Sequence, residues 1–600
     1  MDSRSAAHVL SEIADLLELR AENRFKTRAY RGAAKAVLGL DTDDLTPMLR
    51  SGQLAKVKGV GSATIAVITD LVENGESRYL EQLRMNVPDG LLEMMRVPGL
   101  SPEKVQQIHD TLGVASIDDL EVAARDGRLA KVKGFGERTV ERLVDAIAFK
   151  RRTHALVLFP RAHADAALLL SSVRRHPDVT SAEVAGTVRR RCEAVRDIDI
   201  VAAVRGDPNR VAASFARVPG VGDASVAGGS ASLRYVDGTM LDLYCVPEDD
   251  FAVAFWRATG NTTHVTQMTS LLAAVGFTLD GNIVRDARGE RVPVPTEEAL
   301  YALADLAYIP PELREGEGEL TAATGTLPRL VTAGDIRGVL HCHSTYSDGH
   351  ATIADMAEAA RARGWTYLGI SDHSQSAFYA GGLRPDDIAR QHEEIDALNA
   401  TLTDFTVLKG IEADILGSGQ LDYDDATLDR FDFVIGSVHS RFRMTESEMT
   451  TRILTALDDP RLTILGHPTG RLLLVREPYP VDMVAVIEKA ADVGIAMELN
   501  ADPHRLDLEW RHCRRAKALG VPIEIGPDAH STIGLDVVSI GVDMARKGWL
   551  EADDILNARS AVDILAFAKA RRANGTAAPG AAPMNIRRAA ETDPDADIPF

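Results

Sequence analysis

His341-Cys-His343-Ser-Thr-Tyr-Ser-Asp348-Gly opens a series of six short motifs that closes with Pro527-Asp528-Ala-His530. Between them stand Ser-Asp-His373-Ser, Gly-Ile-Glu412-Ala, Ser-Val-His439-Ser and Gly-His467-Pro. Six His, two Asp and one Glu make an imidazole and carboxylate donor set, which suits Zn²⁺, Mn²⁺ or Fe and disfavours a thiolate site. So many donors exceed the needs of one tetrahedral zinc. They suit two or three metals a few Å apart, an arrangement that activates water and clamps a phosphoryl group. The residues ahead of them decide the fold. Leu368-Gly-Ile-Ser-Asp-His, Val407-Leu-Lys-Gly-Ile-Glu, Phe433-Val-Ile-Gly-Ser-Val-His and Ile464-Leu-Gly-His are apolar runs that each end on a donor. A barrel of parallel strands presents its site in this way at its C-terminal face. The pattern therefore predicts an α/β barrel that carries a metal-dependent hydrolase site.

That order of motifs resembles the polymerase-and-histidinol-phosphatase (PHP) family of metal hydrolases, and the resemblance implies a distorted (β/α)7 barrel. It also implies a metal ligand set of His341, His343, Asp348, His373, Glu412, His439, His467, Asp528 and His530. Three metals and phosphoester hydrolysis by activated water come with the likeness. Clustered cations lower the pKa of bound water and neutralise charge on a phosphate. Arg471, in Gly-His-Pro-Thr-Gly-Arg, and Arg505, after Glu498-Leu-Asn500, are expected to reach the substrate phosphate as bidentate donors, with solvated surface as the alternative.

At 600 residues the chain should hold several domains, since single cores stop growing near ~250 residues. Hydrophobic residues make up 45% and charged residues 26%, the balance of a globular protein. No apolar run of ~18 residues suggests a membrane span. The opening Met-Asp-Ser-Arg-Ser lacks a signal-peptide core. Cys192, Cys245, Cys342 and Cys513 are too scattered for a disulfide framework, so the cytoplasm is the expected location. A net charge of −21 weakens a nucleic-acid reading. It does not defeat it, because part of the deficit lies in the expected metal ligands and part in the acidic tail Glu591-Thr-Asp-Pro-Asp-Ala-Asp.

Basic local surfaces are expected in the first third. Leu54-Ala-Lys56-Val-Lys58-Gly59-Val-Gly61 is matched 75 residues later by Leu129-Ala-Lys131-Val-Lys133-Gly134-Phe-Gly136. An amphipathic helical pattern follows each, over Ser62–Val72 and Glu137–Ile147. A Gly-x-Gly turn aims backbone N–H groups outward at the start of a helix, a nest for a DNA phosphate. The flanking Lys add salt-dependent attraction. Val97-Pro98-Gly99-Leu-Ser101-Pro is a weaker third copy. These segments resemble helix-hairpin-helix motifs, which grip DNA without reading its sequence. The stretch from Ile13 to Ala34 resembles the helical N-terminal domain of family X DNA polymerases.

The family X resemblance sharpens at Gly186-Thr-Val-Arg189-Arg190-Arg-Cys-Glu193-Ala-Val-Arg-Asp197-Ile-Asp199, joined by Met240-Leu-Asp242-Leu-Tyr. An Asp-x-Asp on a strand aims both carboxylates at one face. Three clustered carboxylates repel one another unless Mg²⁺ or Mn²⁺ lies between them. The likeness to the nucleotidyltransferase palm implies that Asp197, Asp199 and Asp242 bind that metal. It also implies that Gly186, Thr187, Arg190 and Gly260 hold a nucleotide triphosphate. Glu297-Glu-Ala-Leu-Tyr301 and Tyr308-Ile-Pro-Pro-Glu-Leu-Arg-Glu resemble the end of the thumb. Together the resemblances cover about 1–570 and look like a bacterial family X polymerase fused to a PHP domain.

One pocket departs from that family. Tyr-Phe-Thr-Gly-Ser is usual after the third carboxylate, and this chain has Arg257-Ala258-Thr259-Gly260-Asn261. The family's Asn and Arg beside the new base pair correspond to Val265 and Thr269, and a common Gly is Arg196. Losing the aromatic wall removes stacking worth ~1–3 kcal/mol. Metal ligands persist while the nucleotide pocket has eroded.

The expected layout is a helical DNA-binding domain at 1–150 and an α+β palm and thumb at 151–318. A linker at 319–334, the PHP barrel at 335–572 and a disordered tail at 573–600 complete it. Three readings stay open. The first is a DNA repair enzyme whose PHP site is a 3′-5′ exonuclease, 3′-phosphatase or abasic-site endonuclease acting on gapped, nicked or abasic duplex, with synthesis weak or lost. The second is a bifunctional gap-filling polymerase and nuclease that uses dNTPs. The third is a PHP small-molecule phosphatase. A monomer without membrane partners is expected in each case.

Overall fold

The computed structural model describes residues 3–576 except 21–23, 41–43, 85–86, 88, 96, 98 and 237. The chain divides into two units, Met1–Ala155 and Leu156–Phe600.

The first unit is helical. Helix Ser3–Leu19 buries Leu10, Ile13, Leu16 and Leu17 on one stripe and packs on helix Arg24–Leu38. Both hairpin segments fold alike. A single 3₁₀ turn, Leu54–Lys56 or Leu129–Lys131, leads into Gly59 at φ +99° or Gly134 at φ +90°. That left-handed conformation suits glycine alone at little cost. Val60 and Phe135, between the two glycines of each copy, are buried and pin the turns. Helices Ser62–Asn74 and Glu137–Thr153 follow. In the third copy the Ser101 hydroxyl caps helix Pro102–Leu112 and Gly99 has φ +92°, while Pro98 lies outside the described residues.

After a short strand, Val157–Leu158, and helix Phe159–Arg174, the second unit forms a five-stranded sheet built from β1 (Val179–Val184), β2 (Ile198–Val204), β3 (Val221–Ala227), β4 (Ser230–Tyr235) and β5 (Met240–Pro247). Its order is β1-β2-β5-β4-β3, with β2 and β5 parallel and the other pairs antiparallel. Helices Phe251–Thr259 and Thr262–Ala274 and a small three-stranded antiparallel sheet follow.

The stretch expected to be a linker is packed instead. Leu320, Ala323 and Leu330 join the core around Trp256 and Tyr301, and Val331 joins the barrel core. Glu319, fully buried, lies 2.6 Å from His264 Nδ1 and accepts the Gly316 N–H. Small and polar composition concealed these apolar anchors.

Seven parallel strands then form the barrel: β6 (Gly338–Val339), β7 (Tyr367–Ile370), β8 (Thr406–Asp414), β9 (Phe433–Ser437), β10 (Ile464–Leu465), β11 (Ala496–Asn500) and β12 (Ile523–Gly526). They pair in chain order. Beyond the ends of β6 and β12, Cys342 bridges Ala529 in parallel and the His343 N–H donates to the Ala529 carbonyl, so the barrel is nearly closed at its mouth. Leu340, Tyr367, Leu408, Phe433, Ile435 and Ile464 fill the interior with Ile564 and Ala568 of helix Ala561–Thr576. The strands are mostly apolar because both faces are covered, and the carboxylates Glu412, Asp414 and Glu498 are exceptions that serve the site. The rest of the expected disordered tail, 577–600, lies outside the described residues. Among the described residues no helix is long and apolar enough to cross a membrane.

Candidate active site

Six of the seven barrel strands deliver the nine motif residues, at or just past their C-terminal ends. Three overlapping groups result: His343 with Asp348, His373 and His530; His341 with His343 and Asp528; His373 with Glu412 and His439. His467 joins them through Nε2, 3.1 Å from Glu412 Oε1. Glu412 is the hub, with His439 Nε2 at 3.2 Å, His341 Nε2 at 3.4 Å and His373 Nδ1 at 2.8 Å. Asp528 Oδ1 lies 3.2 Å from His343 Nε2, and Asp348 Oδ1 lies 3.3 Å from His530 Nε2.

The donors fit metal ions. His341 Nε2, both ring nitrogens of His343, His467 Nδ1 and Glu412 Oε2 are buried without a hydrogen-bond partner. Buried polar atoms left orphaned cost ~1–3 kcal/mol each unless something else satisfies them. Burial pushes the Glu412 carboxyl up, but His439, His341 and His373 outweigh it and hold it well below the usual range. Burial pushes the His343 imidazole down to about 3, leaving it neutral with a lone pair to donate. Two of the nine, His467 at φ +22° and Asp528 at φ +49°, sit in backbone conformations that side chains other than glycine seldom adopt. Strain of this kind persists where surrounding structure enforces it, commonly at functional sites.

A supporting layer that sequence reasoning missed holds the donors. β11 contributes Glu498, whose Oε1 lies 2.6 Å from His341 Nδ1 and whose Oε2 accepts the His467 N–H at 2.5 Å. Asp414 Oδ1 lies 2.7 Å from His439 Nδ1. Asp372 accepts from the Ser344 N–H and hydroxyl, Ser347 Oγ and Gln391 Nε2, and so fixes the turn that carries Asp348. A carboxylate on the far ring nitrogen sets tautomer and orientation. The available signal was an acidic residue at the end of an otherwise apolar strand.

The two arginines expected at the phosphate part company. Arg505 stays at the centre, its Nε 3.4 Å from Asp528 Oδ2. Arg471 is a correction: its guanidinium donates to the Arg505 and Leu506 carbonyls and to Glu193 Oε1 at 2.5 Å. It ties the barrel to the segment ahead of β2 and has no free fork for a phosphate.

In the five-stranded sheet, β2 and β5 set Asp199 directly beside Asp242, with Asp197 just ahead of β2. Burial, then Asp197 and Asp242, pushes the Asp199 carboxyl up to about 7. A side chain at Gly186 would lie 1.7 Å from Asp199 Oδ2, which explains the glycine there. Thr187 Oγ1 is buried without a partner. Gly260 is closed in by His264, whose ring a Cβ would meet at 2.8 Å. Arg190 is a second correction. It donates to the Thr259 carbonyl at 2.6 Å and to Glu315 Oε1 at 3.0 Å, while Lys547 from the barrel's helix Val538–Lys547 grips the same Glu315 and the Arg190 carbonyl. Arg189 is likewise spent on Glu297 and Thr259. Among the replaced residues, Arg257 and Ala258 lie on helix Phe251–Thr259, and the Thr269 hydroxyl bonds its own helix at the Val265 carbonyl.

In the helical unit Lys56, Lys58, Lys131 and Lys133 are all exposed, as are Gly59, Gly61, Gly134 and Gly136. The two nests are not equivalent. The Gly61 N–H donates to Thr64 Oγ1 at 2.9 Å, which removes one outward donor from the first.

Four family models match the chain: "Helix-hairpin-helix domain" over 1–77, "SAM-like Helix-hairpin-helix tandem" over 91–148, "DNA polymerase beta thumb" over 254–315 and "PHP domain" over 340–500. Over 573 residues the chain is 35% identical to the Bacillus subtilis protein named DNA polymerase/3′-5′ exonuclease PolX, covering 95% of this chain and 100% of the relative. Probable phosphatases of Syntrophotalea carbinolica and Clostridium acetobutylicum are each 30% identical over 36% of this chain and 90% of their own length.

Proposed function

Because the chain belongs to the bacterial family X DNA polymerases fused to a PHP domain, we propose that its barrel is a 3′-5′ exonuclease and that its palm holds DNA with weak or lost synthesis. Family membership makes it a metal-dependent hydrolase that binds DNA. The finer assignments are ours: domains at 1–150, 151–318 and 335–572, three metals on the nine donors, and Mg²⁺ or Mn²⁺ on Asp197, Asp199 and Asp242. Zn²⁺, Mn²⁺ or Fe suits the imidazole-rich barrel set.

One observation carries the nuclease reading: nine donors converge with buried nitrogens left unpartnered, in a chain that also bears exposed-lysine hairpins. Metals bound there supply Lewis acidity and lower the pKa of water. The chain's own residues do the rest. Glu498 holds the proton on His341 Nδ1 and so aims Nε2 inward, and Asp414 does the same for His439. Arg505 is placed to take a phosphate oxygen. Lys56, Lys58, Lys131 and Lys133, with Gly59, Gly61, Gly134 and Gly136, hold the DNA backbone. The relative's name favours 3′-end removal over the other modes, 3′-phosphatase or abasic-site cleavage.

A bifunctional reading has its own support. The palm carboxylates are in register, Thr187 is unpartnered, and the relative's name includes polymerase. Against it stand Arg190 bound to Glu315 and the missing aromatic wall. A gapped duplex labelled on the primer strand, incubated with Mn²⁺ with and without dNTPs, separates the readings. The expected result is 3′ shortening in both lanes and little extension. Template-faithful gap filling would establish the bifunctional reading, and hydrolysis confined to small phosphomonoesters would establish a metabolic phosphatase.

A further inference from the structure

Phe378 is 84% exposed and Tyr379 is 66% exposed, five and six residues after His373. Their ring centroids are 5.9 Å apart at 78°, edge to face. The loop that carries them leaves His373 and returns to it, since the Leu383 N–H donates to the His373 carbonyl at 2.8 Å. A side chain at Gly381 would touch the Ser347 carbonyl, next to Asp348. The loop is therefore part of the rim around the nine donors.

This rim is anchored. The Ser376 N–H and hydroxyl both donate to Asp422, Tyr423 accepts the Gln375 N–H, and the Tyr423 hydroxyl donates to the Leu383 carbonyl. A Cβ at Gly382 would lie 1.8 Å from the Ser374 carbonyl, so the turn has no slack. Two apolar rings are thus presented to water by a braced turn, and ordering them on binding costs little. Arg505 lies beside Asp528, and exposed Arg441 and Arg443 follow His439. Cations flank the donors, and bare aromatic faces stand beside them.

We infer that Phe378 and Tyr379 form a stacking platform for unpaired bases at a DNA 3′ end, so that the metal centre selects frayed or single-stranded termini. The inference rests on the nuclease reading above. A base on an aromatic face gains ~1–3 kcal/mol whatever its identity. A paired terminal base is already stacked in its duplex and must give that up, whereas a mismatched one has little to lose. A phosphate held at the donors leaves its terminal base one sugar away, beside the rim.

The test is the full-length double variant Phe378→Ala with Tyr379→Ala. Its kcat/KM on a 3′-labelled single strand should fall about 10- to 100-fold, mostly through KM. The preference for mismatched over matched 3′ ends should shrink with it. Hydrolysis of methyl p-nitrophenyl phosphate, a diester with neither sugar nor base, should be unchanged. In EDTA, 2-aminopurine at the 3′ terminus should be quenched by the wild type and by Phe378→Trp, but not by the double variant. Unchanged single-strand cleavage and quenching would overturn the platform, as would equal loss on the small ester, which would assign the loop to the metal shell. A wild type inert on DNA would defeat the nuclease reading instead, and the 2-aminopurine signal would then decide the platform alone.

Discussion

The barrel centre and the palm centre both gather side chains of metal-binding types, and they differ in what surrounds them. In the barrel four of the nine donors are backed by a dedicated partner: Glu498 behind His341, Asp414 behind His439, Asn500 on Asp528, Asp372 under the Asp348 turn. In the palm Asp199 and Asp242 keep their register, but the arginine expected to hold a nucleotide is committed elsewhere. Arg190 is locked to Thr259 and Glu315, with Lys547 closing the lock from the barrel side. Metal ligands need only converge, whereas a substrate pocket also needs free donors and an open wall. Retained ligands are thus a weaker sign of turnover than free second-layer groups.

The strongest way to break this comparison is to empty the barrel. His341→Ala with His343→Ala should lower nuclease activity by on the order of 10³-fold or more, because several kcal/mol of charge stabilisation leaves with the metals. DNA binding should be nearly intact by fluorescence anisotropy. Full cleavage by that variant would move hydrolysis to another site. Glu498→Gln asks about support rather than ligation. It should cost about 10- to 100-fold in metal affinity or activity, read by metal content after dialysis and by rate. An unaffected rate would mean that His341 is oriented without it.

The palm side is tested by restoring what it lacks. Arg257→Tyr with Ala258→Phe should raise primer extension by about tenfold through recovered stacking. Ala258 packs against the same small core as Tyr244, Phe251 and Phe255, so the new ring extends an existing cluster. Adding Glu315→Ala, which removes the carboxylate that holds Arg190, should raise extension further and leave 3′ shortening unchanged. If the aromatics alone restore full synthesis, the lock on Arg190 is irrelevant. The hairpins offer a smaller effect. Lys58→Glu with Lys133→Glu should weaken binding on every sequence alike and flatten the log–log salt slope by about two, one phosphate contact per lysine. A sequence-selective loss would exclude the hairpin reading.

How much of this was legible in the chain depended on how local the signal was. The barrel was, because each apolar run and its terminal His or Glu are contiguous, and strand direction follows from where the donor falls. Convergence of the nine motif residues was legible for the same reason. Arg471 and Arg190 were not, because their partners are remote: Glu193 lies 278 residues from Arg471, and Glu315 lies 125 from Arg190. A basic residue inside a catalytic-looking motif reads as a substrate ligand until its partner is known. Glu498 was passed over because one carboxylate in an apolar strand shows its purpose only when His341 is placed against it. The supposed linker failed on averaging, since its composition is small and polar while Leu320, Leu330 and Val331 do the packing.

The smallest effect concerns charge in the metal-free palm, where Asp199 is pushed up to about 7 by burial and then by Asp197 and Asp242. Its ordinary value is about 3.9, so the folded state resists ionisation that the unfolded chain accepts. Below about pH 4 both states hold the proton and the site costs nothing. Between about pH 4 and pH 7 the unfolded chain releases it first, so stability falls as pH rises, then levels off above 7. Asp199→Asn carries no such proton. In EDTA its melting temperature should match the wild type near pH 4 and exceed it by a few °C, at about 2–4 °C per kcal/mol, at pH 7 and above. Added Mg²⁺ should close that gap by raising the wild type alone, because a cation between Asp197, Asp199 and Asp242 removes the repulsion. A gap that is independent of pH would mean that Asp199 is ionised throughout. A gap that Mg²⁺ leaves untouched would mean that the palm carboxylates no longer hold a metal, and the contrast with the barrel would then extend from the pocket to the ligands themselves.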